Sequence, residues 1–177
     1  MLIRKLVGEK CYLTPMRIED AEKYATWLND LEVVRYTQFA GQVISIAKEQ
    51  EILAVLAKEH NYGIVDKKTN ELIGSCGLMN LNQLNQTAEI GIIIGNKDYW
   101  NDGYGREALA LLIDYGFKYL NLENIMLLVY AFNQRGIACY RSLGFKIMGE
   151  RRNALRQECQ QYNIIYMDLI PEDFYAR

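Results

Sequence analysis

Apolar positions in the first sixty residues recur at helical spacing. Ala21, Tyr24, Ala25 and Leu28 share one face of a predicted helix over 19–29, and Ile52, Val55 and Leu56 do so within a second at roughly 46–58. Glu19 and Asp20 lie where the positive end of a helix dipole favours acids. Before them, residues 11–14 read as a short strand stopped by Pro15. The period then changes to that of strands, at about 61–66, 71–78 and 87–94, with turn signals at 67–70 and 80–85. Short connections between three successive strands predict an antiparallel meander. Beyond it the pattern predicts a helix over 103–119, a strand over 125–132, a helix over 133–143, and strands over 145–149 and 162–169. Strand, helix and strand in that order favour a parallel pair joined by a crossover helix. The fold class is therefore α/β (α+β), a mixed sheet with helices on both faces.

The chain has 177 residues, half of them hydrophobic and 24% charged. That size and balance predict a single domain over 1–177 with a packed core, needing neither metal nor disulfide to fold. A net charge of −2 provides no basic footprint for nucleic acid or anionic membranes, so neither is expected as a partner. The single His60 and the scattered Cys11, Cys76, Cys139 and Cys159 offer no metal-ligand spacing, and no metal is expected. No apolar stretch approaches the ~18 residues of a membrane span, and the first residues lack the apolar core of an export signal. A cytoplasmic protein with reduced thiols is the simplest expectation.

The chemistry concentrates at the predicted third helix, which opens Trp100-Asn101-Asp102-Gly103-Tyr104-Gly105-Arg106. Unpaired N–H groups and the helix dipole make such a start an anion site, and glycine lets a phosphate approach the backbone. A glycine turn that merely starts a helix is the plain alternative. Gly103, Gly105 and Ala108 also match a dinucleotide-binding pattern, with Glu123 as its ribose acid. The spacing argues against that reading: eight residues separate Ile94 from Gly103, where the motif has glycines directly after the strand. Glu123 also precedes the next strand, whereas the ribose acid belongs at its C-terminal end.

About 30 residues after the glycines comes Asn133-Gln-Arg-Gly-Ile-Ala-Cys-Tyr140-Arg-Ser-Leu-Gly-Phe145. This pairing resembles the GNAT superfamily of acyl-CoA-dependent N-acetyltransferases, in the branch of ribosomal-protein N-terminal and spermidine/spermine N-acetyltransferases. The opening, from Leu13-Thr-Pro-Met-Arg to Trp27-Leu-Asn-Asp30 and then Val34-Arg35-Tyr36, is similar to that branch too. The resemblance covers most of residues 11–169. It implies a mostly antiparallel central sheet of six to seven strands with a splayed parallel pair in the middle, and acetyl-CoA as acyl donor for direct transfer to a primary amine. Candidate acceptors are a protein N-terminus, a polyamine or another small amine.

The resemblance maps the CoA pyrophosphate onto the backbone amides of Asn101, Asp102, Gly103, Tyr104, Gly105 and Arg106. It maps pantetheine onto the main chain of Ile92, Ile93 and Ile94, and brings Asn133 near the cofactor. Trp100 departs from the Arg or Gln usual three residues before the first glycine. Asn133 is equally explained as a helix N-cap. Tyr140 is the candidate proton donor to the leaving thiolate, since a phenol near ~10 stays protonated beside a thiol near ~8.5. A core tyrosine is the plain alternative. Glu89, an acid in an apolar strand, is either a solvent-facing edge residue or a catalytic group. In the latter role it removes a proton from the amine, directly or through water, or orients the cation. Tyr36 lies where the branch builds its acceptor site. Members of the branch often form homodimers. An acyl-CoA-binding sensor that keeps the cleft without efficient catalysis is the alternative function.

Overall fold

The computed structural model describes residues 2–176. In chain order it contains β1 (Leu6–Val7), β2 (Cys11–Pro15), α1 (Ala21–Leu28), α2 (Leu31–Val34), α3 (Ile46–Leu56), β3 (Asn61–Asp66), β4 (Leu72–Asn82) and β5 (Thr87–Ile94). There follow α4 (Tyr104–Tyr119), β6 (Asn124–Tyr130), α5 (Gln134–Ser142), β7 (Lys146–Gln157), β8 (Gln160–Leu169) and α6 (Pro171–Tyr175). The strands are hydrogen-bonded in the order β1-β2-β3-β4-β5-β6-β8-β7. This is a mixed, mostly antiparallel α/β fold with β5 and β6 as its parallel pair.

Among the described residues the sheet has eight strands, against the expected six to seven. The extra one is β1, whose two residues are too few to display a period. Two short helices also escape the apolar pattern for the same reason. One of them, α2, begins where the Asp30 side chain accepts from the Glu32 N–H, and the other, α6, begins at Pro171.

The chain divides into two compact units. The first comprises Met1–Met79 and Gly91–Leu112. In it β1, β2, β3 and β4 pair antiparallel in sequence order. Tyr12, Tyr24, Trp27, Val33, Leu53, Val65 and Leu72 form its buried cluster, and Ile93 and Trp100 pack against that cluster. Helix α1 presents Tyr24 and Trp27 edge to face, 5.4 Å apart, within that cluster. Ser45 caps α3 by accepting from the Lys48 N–H at 3.1 Å.

The second unit comprises Asn80–Ile90 and Ile113–Arg177. Here Thr87, Ala88 and Glu89 of β5 run parallel to Asn124, Ile125 and Met126 of β6. Strand β8 lies between β6 and β7 and is antiparallel to both, so the strands flanking α5 are not direct neighbours. The sequence places only residues 145–149 in β7, yet the strand runs on to Gln157. Most of its positions are exposed, so no alternation marks it and pairing with β8 alone defines it. Glu158 and Cys159, both with positive φ (50° and 62°), turn the β7–β8 hairpin.

Candidate functional site

Helix α4 carries the glycine loop. Asn101 (φ 62°) and Gly103 (φ 83°) are left-handed, which turns the chain sharply into the helix. Only glycine adopts that conformation without steric cost. The first intrahelical bond runs from the Glu107 N–H to the Gly103 carbonyl at 3.0 Å. The amides of Gly103, Tyr104, Gly105 and Arg106 are therefore the four that every helix start leaves without an intrahelical partner. A side chain on Gly103 would enter open space, and one on Gly105 would meet Ile92 Cδ1 and Ile94 Cγ1 at 3.7 Å. The loop and two of the three isoleucines assigned to pantetheine thus lie together in the first unit. Ile92, Ile93 and Ile94 are all half-buried.

Side chains fasten this loop from behind. Tyr104 is buried and its hydroxyl donates to Asp66 Oδ1 at 2.8 Å. Burial works against the Asp66 carboxylate, but the Thr69 and Tyr104 donors outweigh it and hold its pKa below the ordinary range. Burial, reinforced by that carboxylate, pushes the Tyr104 phenol well up. Lys10 Nζ donates to the Asp102 carbonyl at 2.6 Å and pairs with its carboxylate at 3.0 Å. Glu107 Oε1 accepts the amides of Lys10 (2.8 Å) and Cys11 (3.0 Å). The Cys11 thiol beside it is pushed up to about 12, chiefly by burial and then by the Glu107 charge. Trp100, the departure from the expected pattern, donates its indole N–H to the Ile94 carbonyl at 2.8 Å. These anchors were missed by sequence reasoning, because nothing local marks a hydrogen bond between residues 38 positions apart.

In the second unit, helix α5 holds both Asn133 and Tyr140 near its two ends. Asn133 Oδ1 accepts from the Gly136 N–H at 2.9 Å and caps the helix. Tyr140 is half-buried, with its ring edge to face on Phe145 at 5.9 Å. Burial pushes its phenol up to about 12, with the neighbouring Cys139 adding to the effect. Glu89 is half-buried and opposite Met126 in an internal strand, so an edge position does not account for it. Tyr36, half-buried, belongs to the first unit and follows α2.

The head of α4 fits an anionic phosphate group: the N-terminal end of a helix, a left-handed glycine and open space beside it. Among the described residues no group of three or more His, Cys, Asp or Glu could hold a metal ion. Among the same residues no helix is long and apolar enough to cross a membrane.

Comparison with known proteins agrees with this chemistry. Residues 10–146 match the family model described as "Acetyltransferase (GNAT) domain". An uncharacterized N-acetyltransferase p20 of Bacillus licheniformis is 30% identical over 174 residues, covering 96% of this chain and 97% of that one. The spermidine N(1)-acetyltransferase of Escherichia coli K12 is 27% identical over 93% of this chain and 88% of its own. Among solved structures, a spermidine N-acetyltransferase from Vibrio cholerae in complex with CoA and spermine superposes with a TM-score of 0.84. It is 20% identical and covers 95% of this chain and 99% of that one, a likeness of fold. The chain belongs to the GNAT acetyltransferase family. It is accordingly an acyltransferase that takes acetyl-CoA as donor and an amine as acceptor.

Proposed function

We propose that the chain acetylates the primary amine of a small, polyamine-like acceptor, with the amides of Asn101 through Arg106 holding the CoA pyrophosphate. The observation that carries this reading is the head of α4, where left-handed Gly103 turns the chain into the helix and a side chain there would enter open space, so that the helix start can be approached by an anion. The acceptor class is supported by the E. coli relative, a spermidine N(1)-acetyltransferase at 27% identity.

Acetyl-CoA supplies a thioester whose C–S bond breaks as the C–N bond to the amine forms. The main chain of Ile92, Ile93 and Ile94 orients pantetheine. Tyr36 borders the acceptor. The Glu89 carboxylate attracts the cationic amine and accepts its proton, directly or through water, so that a neutral nitrogen attacks. Tyr140 donates to the departing sulfur. With its pKa at about 12, the phenol is a weaker acid than a thiol near ~8.5, so outright transfer is uphill. Tyr140 therefore serves chiefly as a hydrogen-bond donor, giving its proton up as the one released by the amine is recovered. Asn133 caps α5 and directs its remaining amide N–H toward the cofactor. The net change is one amine and one thioester to one amide and one thiol.

The reading also takes the chain as one catalytic domain that forms a homodimer in the cytoplasm. Its four free cysteines are those a reducing compartment would keep. Free-thiol release from acetyl-CoA, measured against spermidine, spermine, amino acids and short peptides, tests the function. Release with polyamines above the other amines is the expected outcome; release with none of them, from a protein that binds acetyl-CoA, overturns it in favour of an acyl-CoA sensor.

A further inference from the structure

An anion-binding helix start works only if its amides point at one place, and the loop before α4 is intrinsically permissive. Gly103 is left-handed, Gly105 has no side chain, and Asn101 and Asp102 are exposed. If binding had to order this segment, the ordering would be subtracted from affinity. The fixing element lies in the turn between β3 and β4. Asp66 is 2% exposed and divides its two oxygens between two duties. Oδ2 accepts the Thr69 N–H (2.8 Å) and hydroxyl (2.7 Å), which rigidifies the turn. Oδ1 accepts the Tyr104 hydroxyl at 2.8 Å, which ties the first residue of α4 to that turn. Tyr99 adds a second fastening: its ring stands edge to face on Tyr104 at 5.2 Å while its hydroxyl donates to Glu71 Oε2 at 3.1 Å. Glu71 Oε1 in turn accepts from Asn96 at 3.0 Å. Both ends of the 96–104 segment are thereby held to one rigid turn by buried or half-buried polar groups.

We infer that Asp66 and Tyr104 are positioning residues that aim the amides at the head of α4, and so set affinity for the pyrophosphate-bearing part of the donor. This rests on the reading of the loop given above. Neither side chain need touch the donor. Tyr104 is buried beneath the segment, and Asp66, a carboxylate, would repel a phosphate if it faced one.

Calorimetric titration of the full chain with acetyl-CoA, and competition with S-acetylpantetheine, which lacks the pyrophosphate, test the inference. Tyr104→Phe keeps the ring and removes the hydroxyl. It is expected to raise the Kd for acetyl-CoA about tenfold at unchanged stoichiometry, the scale of one charge-assisted hydrogen bond, and to shrink the preference for acetyl-CoA over S-acetylpantetheine by the same factor. Asp66→Asn leaves one acceptor oxygen for the two duties and is expected to weaken acetyl-CoA binding and shrink the preference in the same direction. If Tyr104→Phe does not fold, Thr69→Ala strips one donor from Asp66 and is read in the same way, with a smaller shift. A variant that melts earlier or loses stoichiometry while its Kd and its preference stay put overturns the positioning role. A native protein that binds acetyl-CoA no better than S-acetylpantetheine removes the loop reading instead.

Discussion

Helices α4 and α5 begin in opposite ways. At the head of α5, Asn133 folds its own side chain over the Gly136 amide and closes the helix. At the head of α4, Gly103 has no side chain with which to do so, and the segment is held from behind through Tyr104, Glu107 and Lys10. Helices α2 and α3 follow the α5 solution, with Asp30 and Ser45 as caps. A capped start is complete in itself. A start that is anchored from behind, with a left-handed glycine in front, suits the proposed role of holding the donor's phosphate.

If the two helix ends divide the labour, chemistry at α5 and donor affinity at α4, the largest effect is expected at α5. Tyr140→Phe should lower kcat by a factor of about 10²–10⁴, the usual worth of a positioned proton donor, with the Kd for acetyl-CoA nearly unchanged. Equal losses in kcat and affinity would merge the two roles.

Next in size is a pH effect confined to the first unit. Glu49 of α3 is 3% exposed, its Oε2 has no hydrogen-bond partner, and burial pushes its carboxyl up to about 7. In the unfolded chain the group titrates near ~4.3. Below that value both states bind the proton and the pH-dependent part of the cost vanishes. As pH rises from about 4.3 to 7 the unfolded state releases its proton first, so stability falls, by roughly 3–4 kcal/mol in all. Urea melts across this range should show that slope, and Glu49→Gln should flatten it. Because Tyr140 keeps its proton far above this window, a fall in turnover between pH 5 and 7 that Glu49→Gln abolishes would be a stability effect rather than a catalytic one.

The smallest effects come from exchanging the two helix starts. Gly103→Ala forces a side chain into a left-handed conformation at about 1–2 kcal/mol, read mainly as weaker acetyl-CoA binding of about tenfold. Asn133→Ala removes a cap at about 1 kcal/mol, read as a lower Tm with donor affinity little altered. If Asn133→Ala instead weakens acetyl-CoA as much as Gly103→Ala does, Asn133 binds the donor as well as capping.

What the residues reveal before folding follows the range of the interaction. Strands β3 and β5 begin and end where alternation and turn residues place them. The loop glycines stand out because their role is local. Strand β7 loses its last eight residues to the reading because Gly149-Glu-Arg-Arg-Asn153 shows no alternation, and only its partner β8 makes it a strand. Tyr104 is chosen from the sequence for its backbone, while its hydroxyl's partner lies 38 residues away in Asp66. Trp100 looks like a defect in the motif until its indole is seen to satisfy the Ile94 carbonyl.

Strand β5 gives its first four residues to the second unit and its last four to the first, and neither unit is one continuous stretch of chain. On the ribosome, where the N-terminal end emerges first, the first unit is complete only once Leu112 is out. The earlier segment Asn80–Ile90 must then wait several seconds, at about 5–20 residues per second, for the rest of its own unit to be made. During that interval Thr87–Glu89 lack their β6 partners, an unpaired strand edge that a nascent chain has reason to shield.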